Sequence, residues 1–436
     1  MKFYDRVKEL EALNKIKANS LKSSRMTVVM GRRRVGKTVL INKVFNSPDT
    51  LYFFVNKKNE SLLCAEYIEE MQIKLGKAPI GSISSFKDLF LYIIELAKER
   101  PITLIIDEFQ EFLGINASIY GDMQHYWDLN KDKAKLNLIL CGSVYSLMKK
   151  IFEGYKEPLF GRATSKLHVK PFSVQTLKEI MIDYRPKYKN DDLLALYLLT
   201  GGVAKYVEIL AWSKAFTLDA MLREVFSFDS QFIEEGRNML IEEFGKDYKN
   251  YFSILSLIAA SKTSRSDIES ILGMPVGGYL DHLENDYSLI SRVRPILSKP
   301  GSRKVKYRIE DNFLNFWFRF IYKYSSAIQI GNFDFVKNII KRDYDTFSGI
   351  ILERYFCEKL IAEENLSAIG SWWEKGNQNE IDIVGINEID KRAIIVEVKR
   401  NPKKIKIDVL KQKAVNLVKQ LPGYSIEYRG LSIRDM

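Results

Sequence analysis

The sequence has little cysteine, little histidine and no long apolar run. Its 436 residues include three cysteines and three histidines. Cys64, Cys141 and Cys357 are far apart in the chain, which excludes a disulfide framework and points to a reducing, cytoplasmic setting. The histidines form no zinc-type pair. No stretch of 18 apolar residues occurs, so no transmembrane helix is expected. The opening MKFYDRVKELEAL is charged and periodic, unlike a signal peptide. A guanine-reading N-K-x-D segment is also missing.

What is present is concentrated. An apolar run at 26–30 leads into Gly31-Arg32-Arg33-Arg34-Val35-Gly36-Lys37-Thr38, the spacing G-x-x-x-x-G-K-[ST] of a phosphate-binding loop. The glycines let the chain turn so that backbone N–H groups around Gly31, Val35 and Gly36 face one concavity. Lys37 reaches the outer phosphates, Thr38 offers a hydroxyl to Mg²⁺, and the helix that starts there adds its positive end. A second apolar run at 101–106 ends in Asp107-Glu108. An acid at such a strand tip holds Mg²⁺, and the next glutamate orients or deprotonates the attacking water. A third run, 136–141, ends in Gly142-Ser143. Ser143 is either a contact for the γ-phosphate or lytic water, or a plain loop serine. Without a guanine-reading segment the expected nucleotide is ATP.

The net charge of +12 bears on partners only where it is localised. Residues 291–308 carry seven Lys or Arg and no acid, and residues 391–419 carry ten against Glu397 and Asp408. Each run is either a solvated face or a contact for DNA; two in separate modules favour nucleic acid.

Along the chain, strand candidates at 26–30, 51–56, 102–107, 136–141 and 166–170 alternate with helical stretches, which predicts an α/β unit with a parallel sheet. Residues 172–245 read as helices only, a lid punctuated by Gly201-Gly202. Residues 247–310 read as three helices and a basic hairpin, the parts of a winged helix. Ser266-Asp267-Ile268-Glu269 is the expected capping box of the second helix. The third helix carries Asp281, Glu284 and Asp286, poor neighbours for phosphate, so the hairpin is the expected DNA contact. The aromatic stretch 311–324 is expected to be core rather than a base-stacking surface.

The last 90 or so residues hold a second constellation. A helix at 344–363 contains Glu353. The strand around Glu380-Ile381-Asp382-Ile383-Val384 bears Asp382, and 393–399 ends in Glu397-Val398-Lys399. Alternation puts Glu397 and Lys399 on one strand face, and a hairpin brings Asp382 beside them. Carboxylates at close range bind Mg²⁺ or Mn²⁺, and the lysine stabilises hydroxide or the scissile phosphate.

With these residues in hand, the chain resembles the archaeal-type AAA+ ATPases of prokaryotes whose C-terminal domain, of unknown function, is similar to PD-(D/E)XK nucleases. The segment 3–10 resembles the family's F-x-x-R-x-x-E-L opening, which implies that Arg6 lies near the adenine. Leu159-Phe160-Gly161-Arg162 resembles its L-Y-G-R stretch, which implies an arginine finger or sensor at Arg162; if it acts in trans, a homo-oligomer follows. Gly201-Gly202-Val203-Ala204 resembles the lid turn G-G-x-P, with Ala204 where proline is usual. Glu353, Asp382, Glu397 and Lys399 match the nuclease-like acids and lysine. The implied architecture is an ATPase core at 1–170, a helical lid at 171–245, a winged helix at 246–312, aromatic connecting helices at 313–340 and an α/β restriction-endonuclease-like domain at 341–436. The expected function is ATP hydrolysis controlling a DNA-facing winged helix and a metal-dependent nuclease-like module. The alternatives are an ATP-driven switch that binds DNA or protein without cutting, and an ATPase acting on a protein partner.

Overall fold

The computed structural model describes residues 1–436 apart from Ile80, Ser82, Lys246, Asp247, Pro300 and Arg303, and the side chain of Asn377. Position 246, the expected start of the winged helix, and two residues of the basic run 291–308 therefore lie outside the described residues. The chain forms two compact units. One is Asp5–Lys170; the other joins Met1–Tyr4 to Pro171–Met436. Among the described residues no helix is long and apolar enough to cross a membrane.

The first unit is built on β1 (Arg25–Met30), β2 (Thr50–Phe54), β3 (Ile102–Asp107), β4 (Leu136–Gly142) and β5 (Ser165–His168). They pair in parallel in the order β2-β3-β4-β1-β5. The central strands read as unbroken apolar runs because both faces are covered; every residue of β4 is buried. The helix Phe86–Glu99 supplies one cover. It opens on Ser85, whose hydroxyl accepts the Asp88 N–H, and it buries Phe86, Leu89, Phe90, Ile93, Ile94 and Ala97 at helical spacing. Its Ile93 and Phe90 join Leu104 and Leu138 in one core. Truncating Ile93 to alanine costs about 2–5 kcal/mol, the usual result of a cavity. Parallel pairing has a functional consequence. The residues that follow β1, β3 and β4 all emerge at the same sheet edge, where ligands bind in such folds.

In the second unit, helices cover Val174–Tyr184, Asn190–Thr200, Ala204–Trp212, Leu218–Val225 and Gln231–Phe244. The turn Gly201-Gly202 has φ of 56° and 75°, and a Cβ on Gly202 would meet the Phe172 carbonyl oxygen at 2.3 Å. Glycine is required there whatever residue follows at 204. Helices Tyr248–Ala259, Arg265–Leu272 and Gly277–Asn285 come next, then the antiparallel pair β6 (Ile290–Val293) and β7 (Lys306–Ile309). The second helix begins earlier than the expected capping box. Ser264 caps it by accepting the Asp267 N–H, and Glu269 instead accepts the Val276 N–H.

The aromatic stretch forms the helix Asn312–Phe316 and a π-helical turn, Trp317–Tyr322. Phe313, Phe316, Trp317, Phe318 and Phe320 are buried in the unit's core. The Trp317 Nε1–H donates to the Ile233 carbonyl at 2.8 Å. These rings are core, with no face left to stack on bases. The helix expected at 344–363 starts eleven residues earlier and runs as Phe333–Glu363. It packs on a four-stranded sheet, β8 (Ala368–Trp372), β9 (Ile381–Asn387), β10 (Arg392–Lys399) and β11 (Ser425–Ser432), in the order β11-β10-β9-β8. Only β10 and β11 are parallel. The β6–β7 connection docks beside β8, with the Ile296 N–H donating to the Ser371 carbonyl at 2.8 Å.

Candidate active sites

The phosphate-binding loop leaves β1 at Gly31, where a Cβ would meet the Val169 carbonyl oxygen at 2.5 Å. Arg34 and Gly36 take positive φ, 68° and 95°, and Gly36 caps the helix Lys37–Val44. Lys37 is only 7% exposed, and its ammonium donates to the carbonyls of Gly31 at 2.8 Å and Arg32 at 3.2 Å, closing across the loop. Burial lowers its pKa, and the carboxylates of Glu108 and Asp107 work against that shift. Arg6, buried at φ 71°, donates to the carbonyls of Val35 at 3.1 Å and Lys170 at 2.7 Å. It ties the N-terminal segment to the loop.

Asp107 collects three neutral donors. The Thr38 hydroxyl at 3.2 Å and the Tyr52 hydroxyl at 2.5 Å both reach Oδ2, and the Glu108 N–H reaches Oδ1 at 3.0 Å. A hydroxyl and a carboxylate oxygen side by side are the hard donors Mg²⁺ takes. Glu108 stands at φ 53°. Its Oε2 accepts from the Ser143 hydroxyl and from Gln110 Nε2, each at 2.7 Å. Ser143 therefore holds Glu108. Arg162 is engaged elsewhere in this unit, with Nη2 on Asp128 at 3.0 Å and Nη1 on the Phe160 carbonyl at 2.9 Å.

Sequence reasoning missed Tyr52 and Gln110. Gln110 carried a signal: it lies two residues after Glu108 in a turn that brings its amide back. Tyr52 carried none, because its role depends on β2 lying next to β3.

In the second unit, β9 and β10 pair as expected, and the Val398 N–H donates to Asp382 Oδ2 at 2.7 Å. The Lys399 ammonium bridges Asp382 at 3.1 Å and Glu397 at 2.9 Å, and Lys413 adds a contact to Glu397 at 3.3 Å. Burial and then the Asp382 charge push Glu353 well above the usual carboxylate range. Burial also raises Asp382. For Lys399 burial acts downward, but its two carboxylate partners outweigh it and the pKa rises. The expected three-acid metal set is not gathered at one point: among the described residues no group of three His, Cys, Asp or Glu is placed to hold a metal. The lysine occupies the position between the strand acids.

Both basic runs are partly neutralised. Arg292 pairs with Asp281 at 2.6 Å and Glu284 at 3.0 Å, so the third helix turns its acids toward the hairpin. Lys306 pairs with Glu380 at 2.8 Å and lies 4.5 Å from the Trp373 ring centre. Arg294, Lys299, Lys304 and Arg308 stay exposed, as do Lys403, Lys404, Lys406, Lys411 and Lys419.

Comparison with known proteins decides the lineage. An uncharacterised protein of Methanocaldococcus jannaschii is 31% identical over 432 residues, spanning 95% of this chain and 93% of that one. The chain belongs to that protein's family. Residues 3–210 match a family described as an ATPase domain predominantly from Archaea. Residues 317–411 match one described as Archaea bacterial proteins of unknown function. The Walker-type ATPase of Pyrococcus abyssi has a similar structure, with TM-score 0.56 and 18% identity over 73% of this chain and 96% of that one. The Aeropyrum pernix ORC2 protein reaches TM-score 0.48 at 16% identity, over 76% of this chain and 95% of that one. The protein is thus an ATPase with a P-loop-type α/β core.

Proposed function

We propose that ATP hydrolysis in the first unit controls two modules of the second, a DNA-facing winged helix at 246–312 and a nuclease-like domain at 341–436 of the PD-(D/E)XK kind. At the ATP site, backbone N–H groups of the loop around Gly31, Val35 and Gly36 bind phosphate oxygens and Lys37 neutralises the transferring group. Thr38 and Asp107 hold Mg²⁺, which polarises the phosphoryl oxygens when bound. Glu108, held by Ser143 and Gln110, orients the attacking water. Arg6 braces the loop beside the base. Arg162 acts as a finger or sensor after leaving Asp128; acting in trans it requires an oligomer of this chain.

The observation that carries the nuclease-like reading is the convergence of Asp382, Glu397 and Lys399 at the β9–β10 pair. Two oxygen-donor carboxylates fit Mg²⁺ or Mn²⁺, which keep several waters, and the Lys399 ammonium stands in for the cation. Glu353 feels the Asp382 charge but lies apart from the gathered pair, so the proposed cation is held by Asp382 and Glu397. The DNA contact is assigned to the exposed basic residues of 291–308 and 391–419. Salt must weaken it steeply.

The test is cleavage of supercoiled and branched DNA with Mg²⁺ or Mn²⁺, with and without ATP, comparing the native protein with Asp382→Ala. Metal-dependent cutting lost in the variant is the expected result. A second reading, a DNA- or protein-binding switch that does not cut, is favoured by the double ion pair of Lys399, which holds the acids neutralised. Absence of cutting under all these conditions would select it.

A further inference from the structure

We propose that the second unit contains an oxyanion-binding site, framed by Arg308, Arg319 and Arg354, that takes a phosphate-sized tetrahedral anion. A cavity of about 110 Å³ lies where the end of the helix Tyr248–Ala259, strand β7, the π-helical turn and the middle of the long helix Phe333–Glu363 meet. A single water needs only about 10–15 Å³ on this measure, so the cavity admits a group of several heavy atoms. Its lining includes all three arginines, with Ser261, Thr263 and Asn315, and no acid.

The arginines are anchored from behind rather than satisfied. Arg319 Nη1 donates to the Ala259 carbonyl at 3.1 Å. Arg354 Nη1 donates to Asn312 Oδ1 at 2.7 Å and to the Glu310 carbonyl at 3.4 Å. Arg308 Nε donates to Glu310 Oε1 at 3.2 Å. Each guanidinium has five N–H donors in a fixed fork, so these contacts orient the forks and leave donors over. One of them, Arg354 Nε, is fully buried and has no acceptor among the described residues. A buried donor without a partner costs about 1–3 kcal/mol, more when it is charged. Among the described residues the one ion pair of the three is Arg308 with Glu310; Glu310 and Asp311 also act on Arg354, and Asp343 feels the charge of Arg319, but none of these acids lines the cavity. An oxyanion in the cavity supplies the acceptor that Arg354 Nε lacks and meets the three guanidinium groups on the side where no acid lines it, and guanidinium forks match its geometry. The site joins the β6–β7 hairpin to the helix that also carries Glu353, so its occupant would fix one against the other.

Phosphate also binds the P-loop, so the test uses full-length Lys37→Ala protein. Inorganic phosphate is titrated by calorimetry, alone and with Arg308→Gln or Arg319→Gln added. Arg308 is exposed, so its variant keeps the fold even if the Arg319 variant does not. The expected result is binding that persists in Lys37→Ala and weakens at least about tenfold with either arginine variant. Loss of all phosphate binding in Lys37→Ala, or unchanged affinity in Arg308→Gln, would overturn the site. A second arm compares 5′-phosphorylated and unphosphorylated oligonucleotides. A preference for the phosphorylated end that Arg308→Gln removes identifies a nucleic-acid terminus as the source; phosphate binding without that preference identifies the free anion.

Discussion

At the tip of β3, Asp107 and Glu108 are held by neutral donors, the hydroxyls of Thr38, Tyr52 and Ser143 and the amide of Gln110, while Lys37 spends its bonds on loop carbonyls. At the β9–β10 pair, Asp382 and Glu397 are held by ammonium groups, Lys399 between them and Lys413 behind. Each place sets acids beside a lysine at strand tips. The first holds its carboxylates through hydroxyls and amides. The second holds its carboxylates through cations. A neutral-donor shell fixes the geometry of a carboxylate without an ion pair, which suits the Mg²⁺ site proposed at Thr38 and Asp107. An ion-paired shell makes cation entry a competition.

The sharpest test of the first half of that contrast is Glu108→Gln. The amide keeps an acceptor for Ser143 and Gln110, so the fold and nucleotide binding should survive. Loss of the carboxylate as water-orienting base should lower kcat by about 10²–10⁴. Steady-state phosphate release together with ADP affinity measures both. A turnover drop matched by lost nucleotide binding would mean that Glu108 serves the loop's structure instead.

Next in size is Lys37→Ala, expected to lower turnover by about 10²–10³, the usual result of removing one donor to developing phosphoryl charge. Because Lys37 is buried against the loop carbonyls, the cavity left behind should also reduce thermal stability. ATP turnover within a few-fold of the native rate would remove the P-loop from the mechanism.

The other half of the contrast is broken most directly by Lys399→Met. With the bridging ammonium gone, Asp382 and Glu397 face each other with Lys413 as the nearest cation. Mn²⁺ should then bind the second unit about tenfold more tightly, the equivalent of roughly one pK unit of relieved competition. Calorimetry in an Asp107→Asn background, which removes the carboxylate ligand of the first site, isolates this site from it. Equal Mn²⁺ affinity with and without Lys399 would show that the acids are not a cation site.

Much of the first unit was legible because parallel strands covered on both faces leave uninterrupted apolar runs, and the chemistry sits where those runs stop. The five strands lie within one or two residues of their expected spans at most ends. What could not be read was lateral. Nothing local to 50–54 says that β2 lies beside β3, so Tyr52 was invisible as a partner of Asp107. At the second site, alternation placed Glu397 and Lys399 on one face, but not that the lysine would bridge two acids rather than stand clear of them. The cap of Arg265–Leu272 is on Ser264 and not on Ser266; two serines of equal capping capacity flank Arg265, so local sequence does not choose between them.

The smallest expected effect tests how the neutral shell divides its work. The hydroxyls of Tyr52 and Thr38 both reach Asp107 Oδ2. Tyr52→Phe removes one and leaves the other, so the carboxylate stays oriented. The lost bond is worth about 0.5–1.5 kcal/mol, which should weaken apparent Mg²⁺ affinity in the ATPase assay by about two- to tenfold and leave kcat at saturating Mg²⁺ nearly native. Burial and the bond to Asp107 both hold the Tyr52 hydroxyl protonated, its pKa pushed far up, so it remains a donor across the working pH range and the effect should not vary with pH. If kcat itself fell by more than tenfold at saturating Mg²⁺, Tyr52 would be acting on the reacting groups. The neutral shell would then be part of the chemistry and not only its frame.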